Sequence, residues 1–137
     1  MNLDERARQV LRDQPFAVLT GTELGSIEPG KVELRIPIKA ELKQQHGFVH
    51  GGVLSYAADN AITFAGGSAL GTDAVTAEYK INYLRPALGD LLVARAEAIS
   101  TGKRQAVCRC DVFVVKNGES KICATALGTV AKLEPKE

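Results

Sequence analysis

Charge of either sign is nearly absent as a net quantity in this chain: +1 over 137 residues, with Lys and Arg scattered rather than blocked. No basic stripe therefore marks a nucleic-acid face, and no polybasic run marks a membrane surface. No apolar stretch is long enough to span a bilayer, the longest being broken at Asp59-Asn60. The opening residues Met1-Asn2-Leu3-Asp4-Glu5-Arg6 are charged and cannot serve as the apolar centre of a signal peptide. Only three cysteines occur, Cys108, Cys110 and Cys123. A C-x-C pair without further Cys or His nearby is a poor zinc pattern, so these read as small buried hydrophobes kept reduced in a cytoplasmic protein. Neither G-x-x-x-x-G-K-[ST] nor G-x-G-x-x-G appears, which removes the support for nucleotide hydrolysis and dinucleotide binding. Repeats, linkers and low-complexity segments are missing too, leaving residues 1–137 as one domain around one core.

What is present is ordered. Residues 2–13 read as an amphipathic helix with Leu3, Ala7, Val10 and Leu11 on one stripe, stopped by Pro15. Phe16 to Ile27 is β-leaning, Glu28-Pro29-Gly30 signals a turn, and Val32, Leu34, Ile36 and Ile38 alternate with polar residues. Residues 39–49 read as a loop. A helix apolar on most of its circumference follows Gly52 and is expected to end near Gly66-Gly67. Strand patterns then cover Val75 to Tyr83, Leu91 to Ser100, Gln105 to Val115 and Ser120 to Lys132, with Asn117-Gly118 as a hairpin signal. The expected architecture is α+β: an antiparallel sheet with a meander of three or four strands, wrapped round one buried helix.

The chemistry concentrates at the mouth of that helix, in His50-Gly51-Gly52, and at Asp59 nine residues beyond the histidine. Unpaired N–H groups in a first helical turn, with the helix dipole behind them, suit an oxygen that gains negative charge. Glycine lets the backbone approach closely; the alternative for Gly51-Gly52 is a tight turn. Aspartate is a poor helix-interior residue, and here it sits among Ala57, Ala58, Ala61 and Ile62. Such a carboxylate could activate water or attack a carbonyl itself, or else be a solvated residue at a helix bend. His50 reads as a group that holds the loop rather than one that transfers protons. Gly51 and Asp59 lie about 12 Å apart along one helix axis, so they cannot touch the same carbonyl. Two such helices packed antiparallel across a two-fold axis would close the gap, which points to a homodimer with interface sites.

The order of elements, with His50-Gly51-Gly52 and Asp59 at this spacing, resembles the PaaI-like acyl-CoA thioesterases of the hotdog-fold superfamily. Gly47-Phe48-Val49-His50-Gly51-Gly52-Val53-Leu54 and Tyr83-Leu84-Arg85-Pro86-Ala87-Leu88-Gly89-Asp90 carry the likeness, which covers roughly residues 27–133. The resemblance implies a hotdog fold and hydrolysis of acyl-CoA without metal or other cofactor, in a homodimer that further assembles as a homotetramer. It implies Asp59 as catalytic carboxylate, Gly51 N–H as carbonyl polariser and His50 as orderer of that loop. Gln44, or its neighbour Gln45, stands where relatives place an amide six residues before the histidine, and Thr76 is the nearest match to a hydroxyl that assists the water. Gly52 and Asn60 on the helix, with Arg85, Lys103 and Arg104 at strand ends or turns as partners for the coenzyme's phosphates or else as solvated surface charges, complete the expected substrate-binding set. Phe48, Tyr56, Phe64 and Tyr79 are candidates for lining an acyl tunnel or for plain core. The alternatives are a non-catalytic acyl-CoA-binding module, a hotdog hydratase or dehydratase, and a structural protein of this fold.

Overall fold

The apolar stretch behind His50 folds as one helix, α3 (Gly51–Leu70), in a computed structural model that describes residues 1–134. Ala57, Ala58, Ala61, Ile62 and Ala65 on it are essentially inaccessible. Their small side chains let the helix backbone lie close to a sheet. The helix does not end at Gly66-Gly67 as its sequence suggests. It runs on to Leu70 and stops at Gly71, whose φ of 73° is a left-handed conformation that glycine adopts without strain. Gly66 serves the packing instead: a Cβ there would stand 2.0 Å from Val130 Cγ2.

Six antiparallel strands wrap this helix: β1 (Glu23–Glu28), β2 (Lys31–Pro37), β3 (Ala74–Tyr83), β4 (Leu91–Thr101), β5 (Gln105–Lys116) and β6 (Glu119–Lys132). Their spatial order is β1-β2-β4-β5-β6-β3. β4, β5 and β6 form the expected meander, with positive φ at both Asn117 and Gly118 in the β5–β6 hairpin. β3 is not the meander's neighbour in sequence order. It crosses to the far edge and, among the described residues, pairs only with β6. Leu34, Ile36, Leu92, Val112 and Val130 supply the largest fully buried strand side chains, each worth about 1.5–3 kcal/mol of burial. The α+β hotdog arrangement expected from the sequence is the one observed.

All three cysteines are free and buried in this core. Burial pushes the Cys108 and Cys123 thiols up to about 11, and Cys110 further still. They behave as hydrophobes.

Helix α1 (Leu3–Asp13) begins where Asn2 accepts from the Glu5 N–H at 2.8 Å, and buries Ala7 and Leu11. The β-leaning reading fails just after it. Pro15 opens a second helix, α2 (Pro15–Thr20), because its fixed φ suits a first helical turn. Thr20 Oγ1 reaches back to the carbonyls of Phe16 at 2.9 Å and Ala17 at 3.2 Å, and Gly21 ends the helix at φ 76°. Local backbone geometry here outweighs the β preference of Phe16, Val18 and Leu19. The 39–49 loop holds a single 3-10 turn, Ala40–Leu42, and a bridge between Lys43 and Val49. Among the described residues no helix is long and apolar enough to cross a membrane.

Candidate active site

Three hydroxyl groups on β3 meet α3 one turn after another. Thr76 Oγ1 donates to Asp59 Oδ1 at 2.5 Å, the Tyr79 hydroxyl pairs with Ser55 Oγ, and the Tyr83 hydroxyl donates to the Gly51 carbonyl at 3.3 Å. The strand therefore runs alongside the helix in the opposite direction, with Asp59 at one end of the ladder and Gly51 at the other. A simple alternation would put Val75, Ala77, Tyr79 and Ile81 on one face. The register shift between Thr76 and Glu78 breaks that phase, so Thr76 and Tyr79 both turn toward α3 while Val75 is left exposed. An extra residue in one strand of a pair is a common way to re-aim a side chain.

Asp59 is half-buried, and its second carboxylate oxygen has no donor among the described residues. Thr63 stands beside it: its Oγ1 lies 2.9 Å from the Asp59 carbonyl oxygen and 3.0 Å from Thr76 Oγ1. Sequence reading missed Thr63. The signal was available, because residues four apart share a helix face. Among the described residues the carboxylate's hydrogen-bond donor is the Thr76 hydroxyl and no ion pair joins it to a cation, so it keeps a free oxygen with lone pairs to offer.

At the other end, His50 is the N-cap of α3 and its Nδ1 accepts from the Gly52 N–H at 2.8 Å. An accepting Nδ1 leaves the ring proton of neutral imidazole on Nε2. The His50 N–H donates to the Leu42 carbonyl at 2.8 Å, and the Val53 N–H donates to the His50 carbonyl at 2.9 Å. The histidine thus ties the loop to the helix start from both sides. Gly52 is required for this, since a Cβ there would lie 2.9 Å from Nδ1. With Gly52 and Val53 satisfied, the Gly51 N–H is left without a partner among the described residues. An unpaired N–H at the positive end of a long helix is a natural seat for a polarised carbonyl oxygen.

The other sequence candidates lie apart from this pair. The Gln44 side-chain oxygen accepts from the His46 N–H and closes the loop. Asn60 turns the other way and is buried: it exchanges hydrogen bonds with the Gln14 amide at 3.1 and 3.3 Å and donates to the Tyr56 hydroxyl at 3.2 Å. It fastens the N-terminal segment to α3. Tyr56 does the same through Thr22 at 2.6 Å. Arg85 is exposed just beyond Tyr83, at the Gly51 end. Lys103 and Arg104 are exposed in the β4–β5 turn, where the Arg104 carbonyl accepts from Lys132, the residue paired with Ala74 at the start of β3. One protomer therefore divides these cations between the two ends of the ladder. Among the described residues no three His, Cys, Asp or Glu side chains group as a metal site would require.

Comparison with known proteins identifies the family. The family model for the thioesterase superfamily matches residues 46–121, a span that contains His50, Gly51, Asp59 and Thr76. Acyl-coenzyme A thioesterase PaaI of Escherichia coli is 30% identical over 119 residues, covering 86% of this chain and 83% of the relative. The structure of the E. coli PaaI protein, from the phenylacetic acid degradation operon, superposes with a TM-score of 0.85 at 26% identity, over 97% of both chains. A thioesterase family protein from Silicibacter pomeroyi superposes with a TM-score of 0.89 at 31% identity, over 95% of this chain and 97% of that one. A matched span of more than half the chain and full-length structural likeness lead to one assignment: the protein belongs to the thioesterase superfamily, with PaaI among its homologues.

Proposed function

We propose that the protein is an acyl-CoA thioesterase, converting an aryl- or fatty-acyl-CoA and water to the free carboxylic acid and CoA. The observation that carries this reading is the pair formed by Asp59, held by Thr76 with one oxygen free, and the partnerless Gly51 N–H. The acyl-coenzyme A thioesterase named among the relatives supports it. The Gly51 N–H would donate to the thioester oxygen as negative charge develops there. Asp59 would take a proton from water as the water oxygen bonds to the carbonyl carbon; collapse of the adduct breaks the carbon–sulfur bond, and the leaving thiolate takes up a proton. In the alternative route the Asp59 carboxylate bonds to the carbon first and the carbon–sulfur bond breaks, the CoA thiolate leaving and taking up a proton; water then hydrolyses the resulting anhydride, releasing the acid and restoring the Asp59 carboxylate. His50 orders the loop in either case. Neither route calls on a metal or redox group.

Because Gly51 and Asp59 sit about 12 Å apart on one helix, the reading includes a homodimer. Antiparallel α3 helices would bring Gly51 of one protomer to Asp59 of its partner, and the unpaired edge of β3 offers a second surface for the same two-fold contact. That packing would also bring the Arg85 end of one protomer toward the Lys103–Arg104 end of the other, gathering cations for the coenzyme's phosphates. Further pairing of dimers gives the proposed tetramer.

The test is free-thiol release from a panel of aryl- and fatty-acyl-CoAs by wild type and Asp59→Asn. Turnover that falls at least about a hundredfold in a still-dimeric variant supports the reading. Absence of turnover across the panel, or turnover indifferent to Asp59, overturns it.

A further inference from the structure

Tyr83 closes β3 beside the start of α3, and its hydroxyl donates to the Gly51 carbonyl at 3.3 Å. That bond does little for the fold. Helix geometry already gives the same carbonyl the Ser55 N–H as a donor. The distance is long for an O–H donor, and Tyr83 is 55% exposed, so water would serve its hydroxyl as well. Gly51 is no more demanded by packing. Its backbone avoids the left-handed region. A Cβ there would meet Tyr83 Cε1 and Cζ at 3.7 Å and the hydroxyl oxygen at 3.8 Å, which is ordinary contact rather than overlap. At Gly52, by contrast, a Cβ would press on His50. The chain therefore leaves a methyl-sized gap between the Gly51 backbone and the Tyr83 ring, beside an N–H without a partner among the described residues.

We infer that the Tyr83 hydroxyl is a second donor to the thioester oxygen, acting beside the Gly51 N–H. The inference rests on the thioesterase reading for the position of that oxygen. Negative charge grows there as the tetrahedral adduct forms, and a single N–H answers only part of it. A phenol O–H aimed at the same atom answers more. To do so the hydroxyl leaves the Gly51 carbonyl, which keeps its helix bond, and turns across the gap. Its proton stays on the phenol, and no covalent bond to Tyr83 forms or breaks. Tyr83 and Gly51 belong to one protomer, so both donors face the Asp59 carboxylate that the proposed two-fold supplies from the other. The gap also accounts for glycine at this position, since an alanine methyl would stand between the oxygen and the hydroxyl.

The experiment compares wild type with Tyr83→Phe, which keeps the ring and loses only the hydroxyl. For the acyl-CoA that wild type hydrolyses best, kcat is expected to fall about tenfold or more, with KM within about threefold and the melting temperature unchanged. A second readout needs no turnover. It is the carbonyl stretching frequency, by Raman difference spectroscopy, of bound ketone analogues of octanoyl- and phenylacetyl-CoA in which a methylene group replaces the sulfur. Hydrogen bonds to the oxygen lower this frequency, so it should rise in Tyr83→Phe; a hydroxyl that only props the loop would leave it in place. An unchanged frequency overturns the inference whatever the rate, and so does a kcat within twofold of wild type. If either occurs while turnover still depends on Asp59, the thioesterase reading stands without Tyr83. If wild type hydrolyses nothing, yet binds an analogue whose frequency rises in Tyr83→Phe, the donor assignment stands and the thioesterase reading falls. An inactive wild type that binds neither analogue overturns both.

Discussion

Glu33, on the sheet face turned away from α3, accepts from Arg35 Nε and Arg95 Nε, both at 2.9 Å, whereas Asp59 on the helix side accepts from the Thr76 hydroxyl. Both carboxylates are partly buried; Glu33 lines one concavity, and Asn60 and Thr63, which neighbour Asp59 on α3, line another. The groove that Glu33 lines is the larger, about 630 Å³ against 380 Å³. Yet its charges are already matched in the plane of the sheet. Glu33 meets two arginines, Asp111 lies near Arg109, and the Arg95 guanidinium stands 5.0 Å over the Phe113 ring. Burial alone would raise Glu33, but the hydrogen bonds and charges of Arg95 and Arg35 outweigh it and hold the carboxyl below the usual glutamate range. A carboxylate so neutralised has little left for chemistry. Asp59 has one neutral donor and a free oxygen, which suits it better than Glu33 to the proposed chemistry despite the smaller cavity.

Exchanging each acid for its amide breaks this comparison open and carries the largest expected effect. Asp59→Asn should lower kcat/KM by about 10²–10⁴-fold, the range of a positioned acid–base group, with the melting temperature nearly unchanged. Glu33→Gln should do the reverse, keeping kcat/KM within about threefold while losing roughly 1 kcal/mol of stability in urea. Equal rate losses in the two variants would mean that the outer face takes part in turnover after all. A smaller effect is expected at the hydroxyl that holds Asp59. Thr76→Val removes the hydrogen bond to Asp59, along with the hydroxyl's pairing to Thr63; the bond to Asp59 is worth about 1–1.5 kcal/mol, hence about tenfold in kcat. Thr76→Ser restores the donor and should restore most of the rate, which a simple packing defect would not do.

The contrast between the two carboxylates was only half legible in the sequence. Asp59 stood out because an acid inside an alanine-rich helix contradicts local preference, and His50-Gly51-Gly52 stood out because glycines at a helix mouth expose backbone. The α+β order, the β4–β6 strands and the Asn117-Gly118 turn followed from period-two alternation and turn chemistry. Features set by through-space geometry did not follow. Nothing local distinguishes Gly66 as a contact point from Gly66 as a helix stop; Val130, sixty-four residues on, decides it. The move of β3 to the sheet edge is equally non-local. The bulge near Ala77 shifted which strand residues face α3, so the alternation read from Val75 to Tyr83 was out of phase at its start. Glu33 drew no notice, because its arginines sit two residues away and sixty-two residues away. Pro15 was read as the end of one helix when it also begins the next.

The smallest expected effect concerns pH, and it tests the Glu33 side of the comparison without touching activity. A carboxyl whose folded-state value lies below its unfolded value binds its proton more readily in the unfolded chain. Its contribution to stability is therefore complete above the unfolded glutamate value, about 4.3, and is lost as the pH falls through the lower, folded value. Glu33→Gln has no proton to bind and lacks that dependence. The stability difference between wild type and Glu33→Gln should be greatest near pH 7, begin to shrink below about pH 4.5, and go on shrinking as the pH falls through the lowered, folded-state value. Added salt should narrow the same difference at pH 7, since the arginines are half-exposed and their attraction for Glu33 is partly screened. Urea titrations of both proteins across this range measure it directly. A difference that stays constant with pH would show that the second acceptor oxygen, which the amide nitrogen of glutamine cannot replace, matters at Glu33 more than the charge, and that the two carboxylates differ less in kind than their surroundings imply.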